Sequence, residues 1–382
     1  MEYAELHCHS YYSFHDGASS LEELMVRAKE FDYRALAITD HDNLCGAMRF
    51  AQLAKSLELH GVIGTEITLK DGHHITLLAK DRHGYANICQ LITAAHASGE
   101  RNKPELPPEL LPEHAEGMVV FSGCPQGELV QLVNQERYAE AKELVRQYLE
   151  WFGDNYYIEL QHNLVYGDTE RNKRLVTLAR ETGIPVVATG NVHYHVPERH
   201  RLQDCLVAIK NCKSLEETHR ERRPNSEYYL RLIKEFEPLF KECPEALNNT
   251  LGIAECCTFD LATDHAYVFP DYPAPEGHSP QSYLEKLCYD ATIRRYESIT
   301  SKVRARLEEE FRLIRRYNLA GFLLMYHEVI KLGQEVMVEQ QLSDSSLTVE
   351  ENPPGRGRGS SVALLVGYLI GLSHINGKCG SS

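Results

Sequence analysis

The sequence predicts an α/β protein: a parallel sheet closing into a barrel, followed by a mainly helical second part. Three observations carry this. Short apolar strands alternate with amphipathic helices from Tyr3 to His195, the pattern of β-then-α units with a covered sheet. Side chains able to bind metals recur at the ends of those strands, where α/β barrels build their sites. A proline-rich stretch, "VFPDYPAPEGHSP" (Val268 to Pro280), then divides this part from a helical one and reads as a linker.

In order, "YAELH" (Tyr3 to His7) is a strand. "SSLEELMVRAKEF" (Ser19 to Phe31) is an amphipathic helix opened by the capping pair Ser19 and Glu22. "RALAITDH" (Arg34 to His41) is a buried strand, and a helix follows from about Asn43 to Leu57. "GVIGTEITL" and "HHITLLAK" are strands, followed by a helix over Tyr85 to Ala97. "GMVVFSGC" (Gly117 to Cys124) is a strand, with helical segments from Gly127 to Phe152. "NYYIELQ" is a strand, Thr169 to Thr182 a helix, and "IPVVATGNVHYH" (Ile184 to His195) a last buried strand. The domains are read as 1–265, a linker over 266–281, and 282–382. The third part holds the helical stretches "SYLEKLCYDATIRRYESI" and "SKVRARLEEEFRLIRRYNLAGFLLMYHEVIKLGQEV", then "NPPGRGRGSSVALLVGYLIGL". Internal repeats and low-complexity segments are absent.

The chain has 382 residues and a net charge of -15. That balance argues against a general nucleic-acid coat, though not against a local basic channel; the stretch from Ala291 to Ser361 is itself near neutral. The 11 cysteines are odd in number and scattered, which predicts free thiols in a reducing cytoplasm. No secretory leader opens the chain, and the longest apolar run, Val362 to Leu372, is too short to span a bilayer. The expectation is a cytoplasmic protein with no membrane partner.

"ELHCHSYYSFHDG" (Glu5 to Gly17) concentrates His7, His9, His15 and Asp16. Histidines one residue apart on a strand share a face, and two imidazoles on one face can grip one ion. His41 ends the second strand, Glu66 falls late in the third, His74 opens "HITLLAK", Cys124 ends "VVFSGC", and Asn191 and His193 close "VVATGNVHY". Any one of them is readily explained as a local polar group with its own partner. Imidazole, carboxylate and thiolate groups on one rim together suit zinc- or manganese-type ions.

"LHCHSYYSFHDG", "ITDHD", "GTE", "HITLLAK", "FSGC" and "ATGNVHYH" occur in the order of the motifs of the polymerase-and-histidinol-phosphatase (PHP) domain, and residues 1–265 resemble that family. The resemblance implies a distorted (β/α)7 barrel, two or three divalent ions (Zn, Mn or Fe), and phosphoester hydrolysis where the site is intact. Matched motif by motif, its ligands are His7, His9, Asp16, His41, Glu66, His74, Cys124, Asn191 and His193. His15 is read as a neighbour, Asp40 and Asp42 as groups that orient His41, and His73, His83, His96 and His162 as surface or pocket-wall residues. The family usually carries Asp where this chain has Asn191. A neutral amide predicts the weakest metal position there, and an Asn191→Asp change that raises occupancy.

"RLEEEFRLIRRYNLAGFLLMYHEVI" followed by "PGRGRGSS" resembles the start of the palm of bacterial C-family DNA polymerases, the polymerase III alpha subunits and their error-prone relatives. The resemblance implies nucleotide-phosphate binding by Gly355, Arg356, Gly357, Arg358, Gly359, Ser360 and Ser361. A Gly/Arg loop opening a helix also suits anions on physical grounds. The partners implied are DNA, deoxynucleotide triphosphates and replisome subunits, with Mg for the polymerase reaction. Met337 to Glu351 reads as an insertion, and Ala363 and Leu364 stand where the family usually has Gly-Ser. The Asp-rich strand of the palm does not follow, so the chain reads as a truncated alpha subunit without polymerase activity of its own. The alternatives are a non-catalytic, metal-stiffened domain or a free-standing PHP phosphatase.

Overall fold

The structure, a computed structural model, describes residues 2–101, 103–264, 269, 271–296, 298–344, 346, 348–349, 351 and 363–374. It divides into two compact units, Met1–Ala266 and Tyr267–Ser382.

The first unit is built on seven strands in the order β1 (Ala4–Glu5), β2 (Ala35–Ile38), β3 (His60–Thr68), β4 (His74–Ala79), β5 (Met118–Phe121), β6 (Tyr156–Gln161) and β7 (Val186–Thr189). The sheet closes on itself through a parallel bridge between Cys8 and Val192, where the His9 amide donates to the Val192 carbonyl at 2.7 Å and the Val192 amide to the His7 carbonyl at 2.9 Å. Around it lie α1 (Leu21–Glu30), α2 (Ala47–Leu57), α3 (Arg82–Ser98), α4 (Glu128–Asn134), α5 (Tyr138–Phe152), α6 (Asp168–Thr182), α7 (His200–Lys210), α8 (Ile233–Phe236), α9 (Glu245–Cys256) and α10 (Leu261–Asp264).

The strands are parallel with one exception. β4 runs antiparallel to both β3 and β5, which corrects the reading of an all-parallel array. Only Leu69–His73 separate β3 from β4, and Gly72 turns with φ +85°. A connection that short makes a hairpin and cannot make a parallel crossover. The reversal puts the first residue of β4, His74, at the rim where the parallel strands end.

His7 and His9, beyond the two residues of β1, both turn toward Glu66, while Ala4 and Leu6 enter one apolar core and Cys8 another. Side chains alternate across a strand, so Glu159 and Gln161 share a face of β6. An apolar core holds Leu24, Phe50, Ile63, Leu91 and Val145, and a second holds Leu6, Ala37, Val62, Leu78, Phe121 and Val187 with Ile253 and Ala254 of α9. The capping box of α1 is Ser20 with Glu23, one residue beyond the expected pair. Ser19 instead accepts the His195 amide at 3.0 Å.

The second unit contains α11 (Pro280–Tyr296), α12 (Ser301–Arg316), α13 (Ala320–Glu339) and α14 (Leu365–Leu369). The stretch that reads as continuous from Ser301 breaks at Asn318, whose φ is +51°. Leu284, Leu307, Phe311, Leu324, Val366 and Leu369 form the core. Glu310, 3% exposed, accepts the amides of Leu365 at 3.0 Å and Val366 at 2.9 Å. The first amides of α14 are therefore taken by a carboxylate of the chain itself. Gly355, Arg356, Gly357, Arg358, Gly359, Ser360 and Ser361 lie outside the described residues. Among the described residues, no helix is long and apolar enough to cross a membrane.

Candidate metal centre

Glu66, late in β3, is the hub. Its Oε2 lies 3.1 Å from His41 Nδ1, 3.3 Å from His74 Nδ1 and 3.6 Å from His9 Nε2, and its Oε1 lies 3.6 Å from His7 Nε2. Two groups of converging donors result, His7–His9–Glu66 and His41–Glu66–His74, sharing one carboxylate. Cys124 Sγ stands 3.5 Å from His74 Nδ1. The His9 ring stacks between those of His41 and His193, with centroids 4.4 Å away on each side. His7 and His9 are fully buried, whereas His41, His74 and Asp16 are 17%, 13% and 21% exposed. The cluster therefore has a closed floor and an open mouth.

The hydrogen bonds behind the rings fix where the lone pairs point. His7 Nδ1 faces Glu159 Oε1 at 2.7 Å, so its proton is directed there. His9 Nδ1 lies 3.1 Å from Ser13 Oγ, whose own proton goes to Asp40 at 2.6 Å. Both Nε2 atoms are then acceptors, yet they face each other at 3.0 Å, and buried Glu66 Oε1 makes no hydrogen bond. Two lone pairs and a carboxylate converging in a buried space call for positive charge among them, supplied by a proton or by a bound cation. A carboxylate behind a ligating imidazole is also a familiar support of metal sites.

The charge states agree. Burial works against ionising Glu66, but the imidazoles of His74, His7 and His41 outweigh it and hold the carboxyl well below its usual range. Burial, helped by His41 and His193, holds His9 well below the usual imidazole range, so it is neutral. For His7 burial is overcome by Glu159 and Glu66, which push the ring up to about 10. A proton there takes the place that an ion would take. Burial and Glu66 raise the Cys124 thiol well above its ordinary value, so its use as a ligand requires an ion to displace the proton.

At the other end, Asp16 Oδ2 lies 3.2 Å from His41 Nε2, and Asp16 Oδ1 accepts from Arg223 Nη2 and Gln203 Nε2, each at 3.0 Å. Burial opposes its ionisation, but Arg223, His193 and His41 keep the carboxyl well below the usual range. His193 Nε2 stands 2.9 Å from Asn191 Oδ1. The nine expected ligands are thus drawn into one linked cluster. Two expectations need correction. Asp40 does not hold the His41 ring; its carboxylate takes the Ser10 amide and the Ser10 and Ser13 hydroxyls. Asp42 takes the Thr68 amide and hydroxyl. His15 is exposed with φ +69°.

Sequence reasoning passed over Glu159, Gln161 and Arg223. The signal for the first two was a carboxylate and an amide at alternate positions of the otherwise apolar "YYIELQ". Arg223 has no local signal, since it arrives from a loop. A third group, Asp71, His73 and Glu128, lies apart from the cluster beside a cavity of about 480 Å³ lined in part by His73 and Glu128.

Residues 5–163 match the PHP domain, and residues 282–378 match the bacterial DNA polymerase III alpha NTPase domain. The error-prone DNA polymerase of Symbiobacterium thermophilum is 36% identical over 392 aligned residues, covering 98% of this chain and 35% of that protein. DNA polymerase III subunit alpha of Treponema pallidum is 32% identical, with 98% and 32% covered. The chain spans about a third of the length of these curated relatives. Among solved structures, an amidohydrolase from Chromobacterium violaceum aligns at a TM-score of 0.36 and 17% identity over 50% of this chain and 87% of its own, a likeness too loose to build on.

Proposed function

Because this chain belongs, by its two domains, with the bacterial DNA polymerase III alpha subunits and error-prone DNA polymerases, we propose that its barrel is a metal-dependent phosphoesterase centre acting on nucleic-acid phosphodiesters within a DNA polymerase. The observation that carries this is the pair of donor groups sharing Glu66 at the mouth of the barrel. His7, His9, Glu66 and Asn191 would hold one ion, Glu66, His41, His74 and Cys124 another, and Asp16 and His193 would extend the set. The mixture of imidazole, carboxylate and thiol suits Zn, Mn or Fe. Bound ions of this kind supply a hydroxide at neutral pH and neutralise phosphate oxygens.

The chain's own residues supply the rest. Glu159 orients His7, and Asp40 orients His9 through Ser13. Arg223, held over the Tyr228 ring at 4.7 Å, fixes Asp16 and brings a permanent positive charge to the mouth. For the longer relatives, the partners read from the family are DNA, deoxynucleotide triphosphates with Mg, and other replication proteins in the cytoplasm. The donor groups found among the described residues lie in Met1–Ala266, and the phosphoesterase step is the one proposed for them.

A purely structural role for the ions has one observation in its favour: His7 and His9 flank the Cys8–Val192 seam that closes the barrel. One experiment separates the two readings. The purified chain is stripped with a chelator, reloaded with Mn or Zn, and offered 3′-labelled single-stranded DNA and a nitrophenyl phosphodiester. Metal-dependent hydrolysis, lost in Glu66→Gln, is expected. Full metal loading with no hydrolysis of either substrate leaves the structural role, and failure to bind metal removes both.

A further inference from the structure

By residue type alone, Asn191 is a place where a carboxylate would serve better. Its neighbours point the other way. Asn191 Nδ2 donates to Gln161 Oε1 at 3.2 Å, and Gln161 Nε2 donates to Glu159 Oε1 at 2.9 Å. Glu159 Oε1 also receives His7 Nδ1 at 2.7 Å and the Thr189 hydroxyl. Asn191, Gln161 and Glu159 are 3%, 3% and 1% exposed, so partners within the protein decide how each amide is turned. Glu159 accepts, so Gln161 must present its NH₂ there and its carbonyl to residue 191. Residue 191 must then donate on that side, which an amide can do and an ionised carboxylate cannot.

We propose that Gln161, locked by Glu159, is a positioning residue that makes a neutral amide the fitted ligand at 191, turning Asn191 Oδ1 toward the His193 side of the centre. This rests on the metal-centre reading above. An Asp at 191 would set a carboxylate oxygen against the Gln161 carbonyl. Gln161 cannot reverse to relieve it, because its carbonyl would then face Glu159. With no bulk water at these positions, neither unpaired acceptor is solvated. Asn191→Asp by itself therefore does not strengthen the site, contrary to the expectation from residue type; the change has to be made together with Gln161→Leu, which removes the opposing carbonyl and leaves Glu159 its bonds from His7 and Thr189.

The test is a double-mutant cycle on the full chain with two readouts: Zn and Mn affinity by equilibrium dialysis, and melting temperature of the chelator-stripped protein. Asn191→Asp is expected to bind metal no better than Asn191→Ala, with a lower metal-free melting temperature. Gln161→Leu alone weakens metal binding by roughly tenfold, as loss of a group that orients a ligand does. Asn191→Asp/Gln161→Leu recovers about tenfold or more over the sum of the single effects and regains melting temperature. Tighter metal binding by Asn191→Asp alone overturns the proposal, as does strict additivity in both readouts. If the wild-type chain binds no metal, the metal-centre reading fails, while the metal-free melting cycle still decides whether Gln161 selects the amide.

Discussion

Replacing Glu310 tests how the second unit holds the helix that follows its glycine-rich segment. The carboxylate is 3% exposed and accepts three donors: the Leu365 amide at 3.0 Å, the Val366 amide at 2.9 Å and Arg306 Nε at 2.7 Å. Arg306 is 51% exposed, so its share is small. The amides dominate. A hydrogen bond to a charged group contributes about 1.5–3 kcal/mol, and a buried donor left bare costs about 1–3 kcal/mol. Glu310→Ala should then cost about 3–5 kcal/mol locally. Glu310→Gln, whose carbonyl still serves one amide, should cost about 1–2 kcal/mol. The cost falls where Leu365, Val366, Leu369 and Ile370 enter the core, so α14 should detach before the helices beneath it. Hydrogen exchange read by mass spectrometry provides the assay. Protection over 363–374 should drop by roughly a hundredfold or more in the alanine variant, since 1.4 kcal/mol is a factor of ten, with strands β5 and β6 unchanged. A drop below about threefold there would refute the assignment of Glu310 as the anchor of α14.

Other outcomes follow from the centre and its surroundings. Glu66→Gln should lose both of the ions that its carboxylate joins, whereas His74→Ala should lose one; metal content by mass spectrometry after reloading checks this, and loss of a single ion in Glu66→Gln would separate the two donor groups. Gly17→Ala should disturb Asp16 while leaving the barrel folded, because the added Cβ would sit 1.9 Å from the Ser10 carbonyl oxygen; circular dichroism should be retained while metal affinity falls. The Cys256 thiol is drawn down to about 7 by a hydrogen bond from Cys257 and by Lys80. Its alkylation should be half-maximal near pH 7 and should move to higher pH in Cys257→Ala.

The legible part of the sequence is the part with short-range signals. Alternation and capping residues place β2, α1, α3 and α6 to within a few residues, because burial of one face and satisfaction of the first amides are local requirements. The candidate ligands are legible for the same reason: His7 and His9 are two apart, and Glu66, Cys124 and His193 each sit at the end of an apolar run. The direction of β4 is written in the brevity of Leu69–His73, yet it was passed over in favour of the prevailing β-then-α rhythm. Arg223 and Gln203 lie outside any such rhythm. They reach Asp16 only because the chain beyond β7 folds back over the mouth, and no periodicity encodes contacts across 187 and 207 residues. Asp40 adjoins His41 in sequence, yet the backbone sends its carboxylate to Ser10 and Ser13, so adjacency along the chain does not encode that contact.

The charge of the donor set bears on what the centre can hold. The chain is acidic overall, with a net charge of -15, and long-range attraction of a polyanion to such a surface is poor. Any pull on a phosphate must come from the mouth itself. There the first row of donors is mostly neutral, the imidazoles and the amide of Asn191, around the shared Glu66, the Cys124 sulfur, which gives up its proton to bind an ion, and the more peripheral Asp16. Dications held by such a set keep more positive charge than they would in a cage of carboxylates. Glu159, which would cancel part of that charge, stands one layer back and spends itself on His7, Gln161 and Thr189. Arg223 adds a positive charge while covering Asp16. An Asn at 191 fits this arrangement twice over. It satisfies Gln161, and it leaves uncancelled the positive charge that an anionic substrate approaching an acidic protein would need.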